Sequence, residues 1–161
     1  MTTGMPTIGQ WRNGGPWPGG ADRYGDVHDP ATGRVAAQVA FASGEEVSAV
    51  LAEAVKAGRE WAATSLARRT AVLFAFREAL ARRRKEIAAV ITSEHGKVLD
   101  DALGEVQRGL EVAEFACGAP HLLKGSFSDG VSGGVDVYSM RQPLGVVAVI
   151  SPFNFPAMVP L

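Results

Sequence analysis

The chain of 161 residues has one cysteine, Cys117. A single thiol excludes an internal disulfide and any zinc site built on cysteines. It is compatible with a reducing, cytoplasmic setting. Charge of one sign is also missing: 16 basic against 17 acidic residues leave a net charge of −1. So balanced a chain lacks the electrostatic footprint for nucleic acid or anionic membrane, and neither is expected as a partner. No run of about 18 uninterrupted apolar residues occurs, so no membrane-spanning helix is expected. The start of the chain has neither the charged nor the apolar segment of a secretory signal, and it is too poor in arginine for a transit peptide. No GxGxxG fingerprint and no phosphate-loop motif is present. His28, His95 and His121 lie scattered without metal-ligand spacing, so no metal site is expected.

What is there is ordinary for a soluble globular protein: 47% apolar and 20% charged residues. That excludes a disordered chain and a coiled coil. The length suits one domain. Yet the sequence stops in an apolar run over 146–161, where a polar, frayed tail is commoner. The expectation is that 161 residues are less than a complete functional unit.

Residues 11–20 (WRNGGPWPGG) are dense in Gly and Pro and read as irregular surface chain. Asp29-Pro30-Ala31-Thr32-Gly33 reads as a turn: Pro30 fixes φ, Asp29 caps, and Gly33 allows positive φ. Val27 before it and Val35, Val39 and Phe41 after it predict a short antiparallel pair. Ser43 with Glu46 forms a capping box and opens a first helix. Val47, Val50, Leu51, Ala54, Gly58 and Trp61 recur on one face of it. A second helix is predicted over 65–94, with an inward stripe of Leu66, Leu73, Phe76, Leu80, Ile87 and Ile91 and a stop at Gly96. Its basic run over 82–85 reads as a solvated face. A third helix is predicted over 99–116, with Leu99, Leu103, Val106, Leu110 and Ala113 inward, ended by Gly118 and Pro120.

Beyond it, 126–134 reads as a Gly/Ser-rich loop or hairpin and 135–140 as an alternating strand. The β-branched run Val146-Val147-Ala148-Val149-Ile150 has the signature of a strand buried on both faces in a parallel sheet. Ser151 to Phe155 turn, and Pro156 suits the first turn of a further helix. Ligands of open α/β sheets sit beyond the carboxyl ends of such strands. There Asn154 offers an amide donor that can face a developing oxyanion, and Phe153 offers a flat apolar surface. Spacing alone favours Asn154 as a helix cap and the phenylalanines as core.

The stretch Gln142-Pro143-Leu144-Gly145-Val146-Val147-Ala148-Val149-Ile150-Ser151-Pro152-Phe153-Asn154-Phe155-Pro156 resembles the first signature block of the aldehyde dehydrogenase superfamily. Two further stretches, Ala157-Met158-Val159-Pro160-Leu161 and residues 104–120 (GEVQRGLEVAEFACGAP), narrow the resemblance to the CoA-acylating methylmalonate-semialdehyde dehydrogenases, which also act on malonate semialdehyde. It begins near Ile8, passes through the turn at 29–33 and Glu94-His95-Gly96-Lys97, and continues to Leu161. Departures are the Gly/Pro-rich insert at 14–20 and Ser151, where threonine or alanine is common.

The resemblance implies an α/β fold: short N-terminal strands, three amphipathic helices, an oligomerisation strand and the first parallel strand of the NAD-binding sheet, truncated. Residues 1–26 would be an irregular N-terminal segment. Residues 27–161 would be a partial NAD-binding domain including part of the oligomerisation arm at 125–142, without the catalytic domain. It implies a cysteine thiolate attacking the aldehyde, an oxyanion held by a backbone N–H and the Asn154 amide, and hydride transfer to NAD. In this subfamily coenzyme A takes the acyl group, and the carboxylate carbon is lost. Ser151 and Phe153 would contact the adenosine side of NAD, and Arg108 would hold the substrate carboxylate through paired hydrogen bonds. Ordinary surface pairing of Arg108 with Glu105 or Glu111 is the bland alternative. Cys117, at an apolar helix end with no base beside it, reads as a small core residue. The nucleophile, general base and remaining NAD contacts would lie beyond Leu161, so the chain alone would be inactive, and the full-length enzyme would be a homotetramer. The rivals are a non-acylating aldehyde dehydrogenase and a self-contained helical interaction module.

Overall fold

The computed structural model describes residues 4–161. The first three residues of the 1–26 segment lie outside the described residues. The chain is mixed α/β, with seven short strands and four helices among the described residues.

The sequence reading of 11–20 as irregular is corrected. β2 (Gln10–Arg12) and β3 (Gly15–Trp17) form an antiparallel hairpin. The turn residues Asn13 and Gly14 take φ of 52° and 78°, the pair of positive values that a tight two-residue hairpin needs. A Gly/Pro count hides that signal, because the Asn-Gly pair matters and the composition around it does not. β1 (Thr7–Ile8) pairs in parallel with β5 (Val35–Ala40), and β4 (Tyr24–His28) pairs antiparallel with β5, giving the order β1-β5-β4. The turn between β4 and β5 forms as its sequence dictates. Asp29 accepts from Ala31 N at 2.8 Å and from the Thr32 hydroxyl at 3.0 Å, and Gly33 has φ 69°.

α1 (Gly44–Ala63) opens on the capping box. Glu46 N donates to Ser43 Oγ at 3.1 Å, and Ser43 N donates to Glu46 Oε2 at 2.7 Å. The other Glu46 oxygen accepts from Gly20 N at 2.6 Å, and Glu53 accepts from Arg12 Nε at 2.8 Å and Asn13 Nδ2 at 3.1 Å. Glu53 therefore holds the hairpin, and Glu46 holds the chain just after it. The apolar stripe of α1 is not buried: Val47, Val50, Leu51 and Trp61 are exposed, because no other described element covers that face.

α2 (Leu66–His95) starts at Ser65, which caps Arg68 N, and ends at Gly96 with φ 82°. A Cβ at Gly96 would lie 3.3 Å from the Pro30 ring, so the β4–β5 turn rests on the end of α2. Its basic run is largely solvated, with Arg83 paired to Glu86 at 3.0 Å; Arg84 instead reaches Gln107 on the next helix at 2.8 Å. α3 (Leu99–Ala116) has the predicted bounds and packs along α2. The core lies between them: Leu80, Ala88 and Ile91 against Ala102, Val106, Leu110 and Ala113, with Ala157 and Leu161 packed on it. Phe76 and Leu99, expected inward, are exposed. α4 (Ala119–Leu122) follows at once, with Pro120 in its first turn.

β6 (Phe127–Ser132) and β7 (Val135–Tyr138) form an exposed antiparallel hairpin. The strand expected at 146–150 is absent. Val147 is 66%, Val149 67% and Ile150 96% exposed, since no described strand lies beside them to take their backbone hydrogen bonds. The helix expected after Pro156 is likewise a run of turns.

Leu110→Ala, which empties the α2–α3 core, is expected to cost about 2–5 kcal/mol, and Ser43→Ala, which removes a cap, about 1 kcal/mol. Chemical denaturation of the two variants checks this; the reverse ranking would contradict the placement of the core.

Candidate active site on the α3 face

Helix α3 carries a charged residue in its apolar stripe. Glu105 falls between Ala102 and Gly109 at helical spacing, and it is 3% exposed. A carboxylate so placed must find partners. Its Oε2 accepts from Lys97 Nζ at 2.5 Å. Its Oε1 accepts from the backbone N–H groups of Ala157 at 2.8 Å and Met158 at 3.2 Å. Lys97 reaches this point because Gly96 ends α2 and turns the chain back toward α3. Lys97 Nζ also donates to the carbonyl oxygen of Asn154 at 3.0 Å and lies 4.5 Å from the ring centre of Phe155. Burial opposes the Glu105 charge, but Lys97 and the two backbone donors outweigh it, and its pKa falls below the ordinary 4.5.

Gly109 lets the turn approach. A Cβ there would lie 2.5 Å from Leu161 Cδ1 and 3.5 Å from Met158 Cα. The segment after Asn154 thus lies directly on α3.

These contacts enclose a cavity of about 470 Å³ whose lining includes His95, Lys97, Glu105, Arg108, Asn154 and Phe155. Two of the four site residues read from the sequence, Asn154 and Arg108, line it together. Ser151 and Phe153 do not line it; both are exposed, Phe153 by 87%. That open ring can take the flat face of another aromatic group. The pairing of Arg108 with neighbouring glutamates is not seen. Glu105 is occupied by Lys97 and the turn, Glu111 accepts from Gln107 at 3.4 Å, and Arg108 enters no salt bridge among the described residues. Arg108 lines the cavity and is committed to no carboxylate among the described residues. Cys117 is buried at the end of α3, as its reading as a core residue requires. Among the described residues no group of three or more His, Cys, Asp or Glu is placed to hold a metal.

Sequence reasoning missed Lys97 and Glu105 as a unit. The signal was a glutamate within the apolar stripe of α3, a position that demands a buried partner.

Asn154, Arg108 and Phe155 thus line one cavity, together with the acidic residues Asp100 and Asp101 at the start of α3. Residues 17–161 match the model of the aldehyde dehydrogenase family, and the chain belongs to that family. Within it, the chain is similar to malonate-semialdehyde dehydrogenase of Pseudomonas aeruginosa, at 45% identity over 86% of this chain and 28% of the relative. It is 41% identical over its whole length to 30% of the human acylating methylmalonate-semialdehyde/malonate-semialdehyde dehydrogenase. Among solved structures, methylmalonate-semialdehyde dehydrogenase from Oceanimonas doudoroffii superposes with a TM-score of 0.92 at 46% identity, covering 97% of this chain and 32% of that one. A Sinorhizobium meliloti protein described as a methylmalonate-semialdehyde dehydrogenase, solved with NAD, gives 0.90 at 43% identity over 98% and 32%. The chain therefore spans about 30% of the length of these relatives.

Because the Glu105 pKa is lowered on folding, its stabilisation is complete above the unfolded carboxyl value and is lost as pH falls through the folded one. Glu105→Gln is expected to lower the melting temperature clearly at pH 7 and by less at pH 3, below the ordinary carboxyl value of 4.5. An equal gap at both pH values would contradict the buried ion pair.

Proposed function

We propose that the full-length protein carrying this chain oxidises methylmalonate or malonate semialdehyde with NAD and passes the acyl group to coenzyme A. The products are propionyl-CoA or acetyl-CoA, with loss of the carboxylate carbon. The observation that carries this reading is that Asn154 and an unpaired Arg108 line one cavity. The names of the relatives, which cover this chain at 41–45% identity, support it.

In this reading Arg108 binds the substrate carboxylate with two parallel hydrogen bonds and so fixes the distance to the carbonyl carbon. The Asn154 amide donates to the carbonyl oxygen as it gains charge under attack by a cysteine thiolate. That thiolate is not Cys117, which is buried and faces no part of the cavity. NAD, when bound, supplies the hydride acceptor. Ser151 and Phe153 would hold its adenosine side, the exposed Phe153 ring offering a stacking face. Residues 27–161 would belong to the NAD-binding domain, with 125–142 as part of an oligomerisation arm of a cytoplasmic homotetramer. The fully exposed β6–β7 hairpin suits that role. Valine and inositol breakdown are the settings such an activity would serve, and the 161-residue chain alone would be inactive.

In the full-length enzyme, Asn154→Ala is expected to slow oxidation about 10²–10³-fold. Arg108→Leu should cost about 10–100-fold on malonate semialdehyde, the worth of a charged hydrogen-bond pair, and little on propanal. Equal losses on both substrates would refute the role of Arg108. Turnover independent of coenzyme A would refute the acylating step.

A further inference from the structure

We infer that Lys97 and Glu105 are positioning residues for the oxyanion donor: they clamp the backbone at Asn154 itself and three and four residues beyond it, so that its amide is held where charge develops. The inference rests on the reading of Asn154 given above.

The clamp is visible contact by contact. On the near side, Lys97 Nζ donates to the carbonyl oxygen of Asn154 itself at 3.0 Å. On the far side, Glu105 Oε1 takes the N–H groups of Ala157 and Met158 at 2.8 and 3.2 Å. Pro156 between them has no N–H to offer. The two clamping groups are themselves joined at 2.5 Å. The side chains are 14% exposed for Lys97 and 1% for Glu105, so the pair is shielded from water.

Both charges are used up in doing this. An ammonium has three protons. Lys97 gives one to Glu105 and one to Asn154, and lies 4.5 Å from the centre of the Phe155 ring. Two of its three donors are thus held by the protein, and its charge is matched by Glu105, although it lines the cavity. Glu105 is engaged at both oxygens. A pair so committed does not bind or transfer protons. It fixes the loop that lies between its two members, and this loop carries Asn154. A shift of about 1 Å in such a donor is enough for about 10²-fold in rate.

The test is a double-mutant cycle in the full-length enzyme, reading the single-turnover rate of reduced-NAD formation from propanal, which depends on formation of the oxyanion and its collapse by hydride transfer. Lys97→Met is expected to slow that rate about 10–10²-fold in the otherwise native enzyme. With Asn154→Ala already present it should add less than about 3-fold, since coupled residues are not additive. A stability role alone would not produce that non-additivity. Should Lys97→Met give no folded protein, Glu105→Gln, which keeps an acceptor for the turn but no charge for Lys97, is measured in the same two backgrounds. A loss of equal size in both backgrounds overturns the clamp and leaves the reading of Asn154 intact. An Asn154→Ala enzyme as fast as the native one overturns that reading, and the clamp with it.

Discussion

The Glu105 carboxylate is the constraint on which the C-terminal part of this structure depends. It sits inside the apolar stripe of α3, where an unpaired charge would cost several kcal/mol. The cost is met from two directions. Lys97 arrives from the end of α2, and the N–H groups of Ala157 and Met158 arrive from the turn beyond Asn154. A helix end, a helix interior and a loop with no regular structure are thereby brought to one point. Gly96 and Gly109 make this possible, one through its left-handed backbone, the other by leaving room for Leu161.

The local signals in the sequence were reliable where they act through neighbours in the chain. Ser43 with Glu46, Gly96, and the turn at 29–33 place their elements without help from tertiary contacts. The bounds of α3 follow from its stripe, and its inward residues Val106, Leu110 and Ala113 are core. Signals that need a partner were less faithful. Residues 146–150 have the composition of a buried strand, yet they lie exposed because strand formation requires a neighbour to bond with. The apolar face of α1 is open for the same reason. The hairpin at 10–17 was overlooked because the Asn13-Gly14 turn was averaged into a Gly/Pro-rich stretch.

The site was legible in part. Asn154 and Arg108 could be singled out from the sequence only through the family resemblance; spacing alone favoured a cap and a surface ion pair. The structure separates these for Arg108, since Glu105 and Glu111 are engaged elsewhere. What spacing could not reveal is that the glutamate beside Arg108 is the anchor of the Asn154 loop. Its partners come from 8, 52 and 53 residues away along the chain. Function in this segment therefore rests on a division of labour within one helix: Glu105 faces inward and builds the loop, while Arg108 faces the cavity and is left free.

Amide hydrogen exchange at Ala157 and Met158 measures the central contact most directly. Both amides lie in a run of turns and donate to the Glu105 carboxylate. The account predicts that both are protected in the native chain and exchange at the rate of open loop amides in Glu105→Ala, which removes the acceptor, at pH 7. Fast exchange of both in the native chain, or protection unchanged by the substitution, would contradict it.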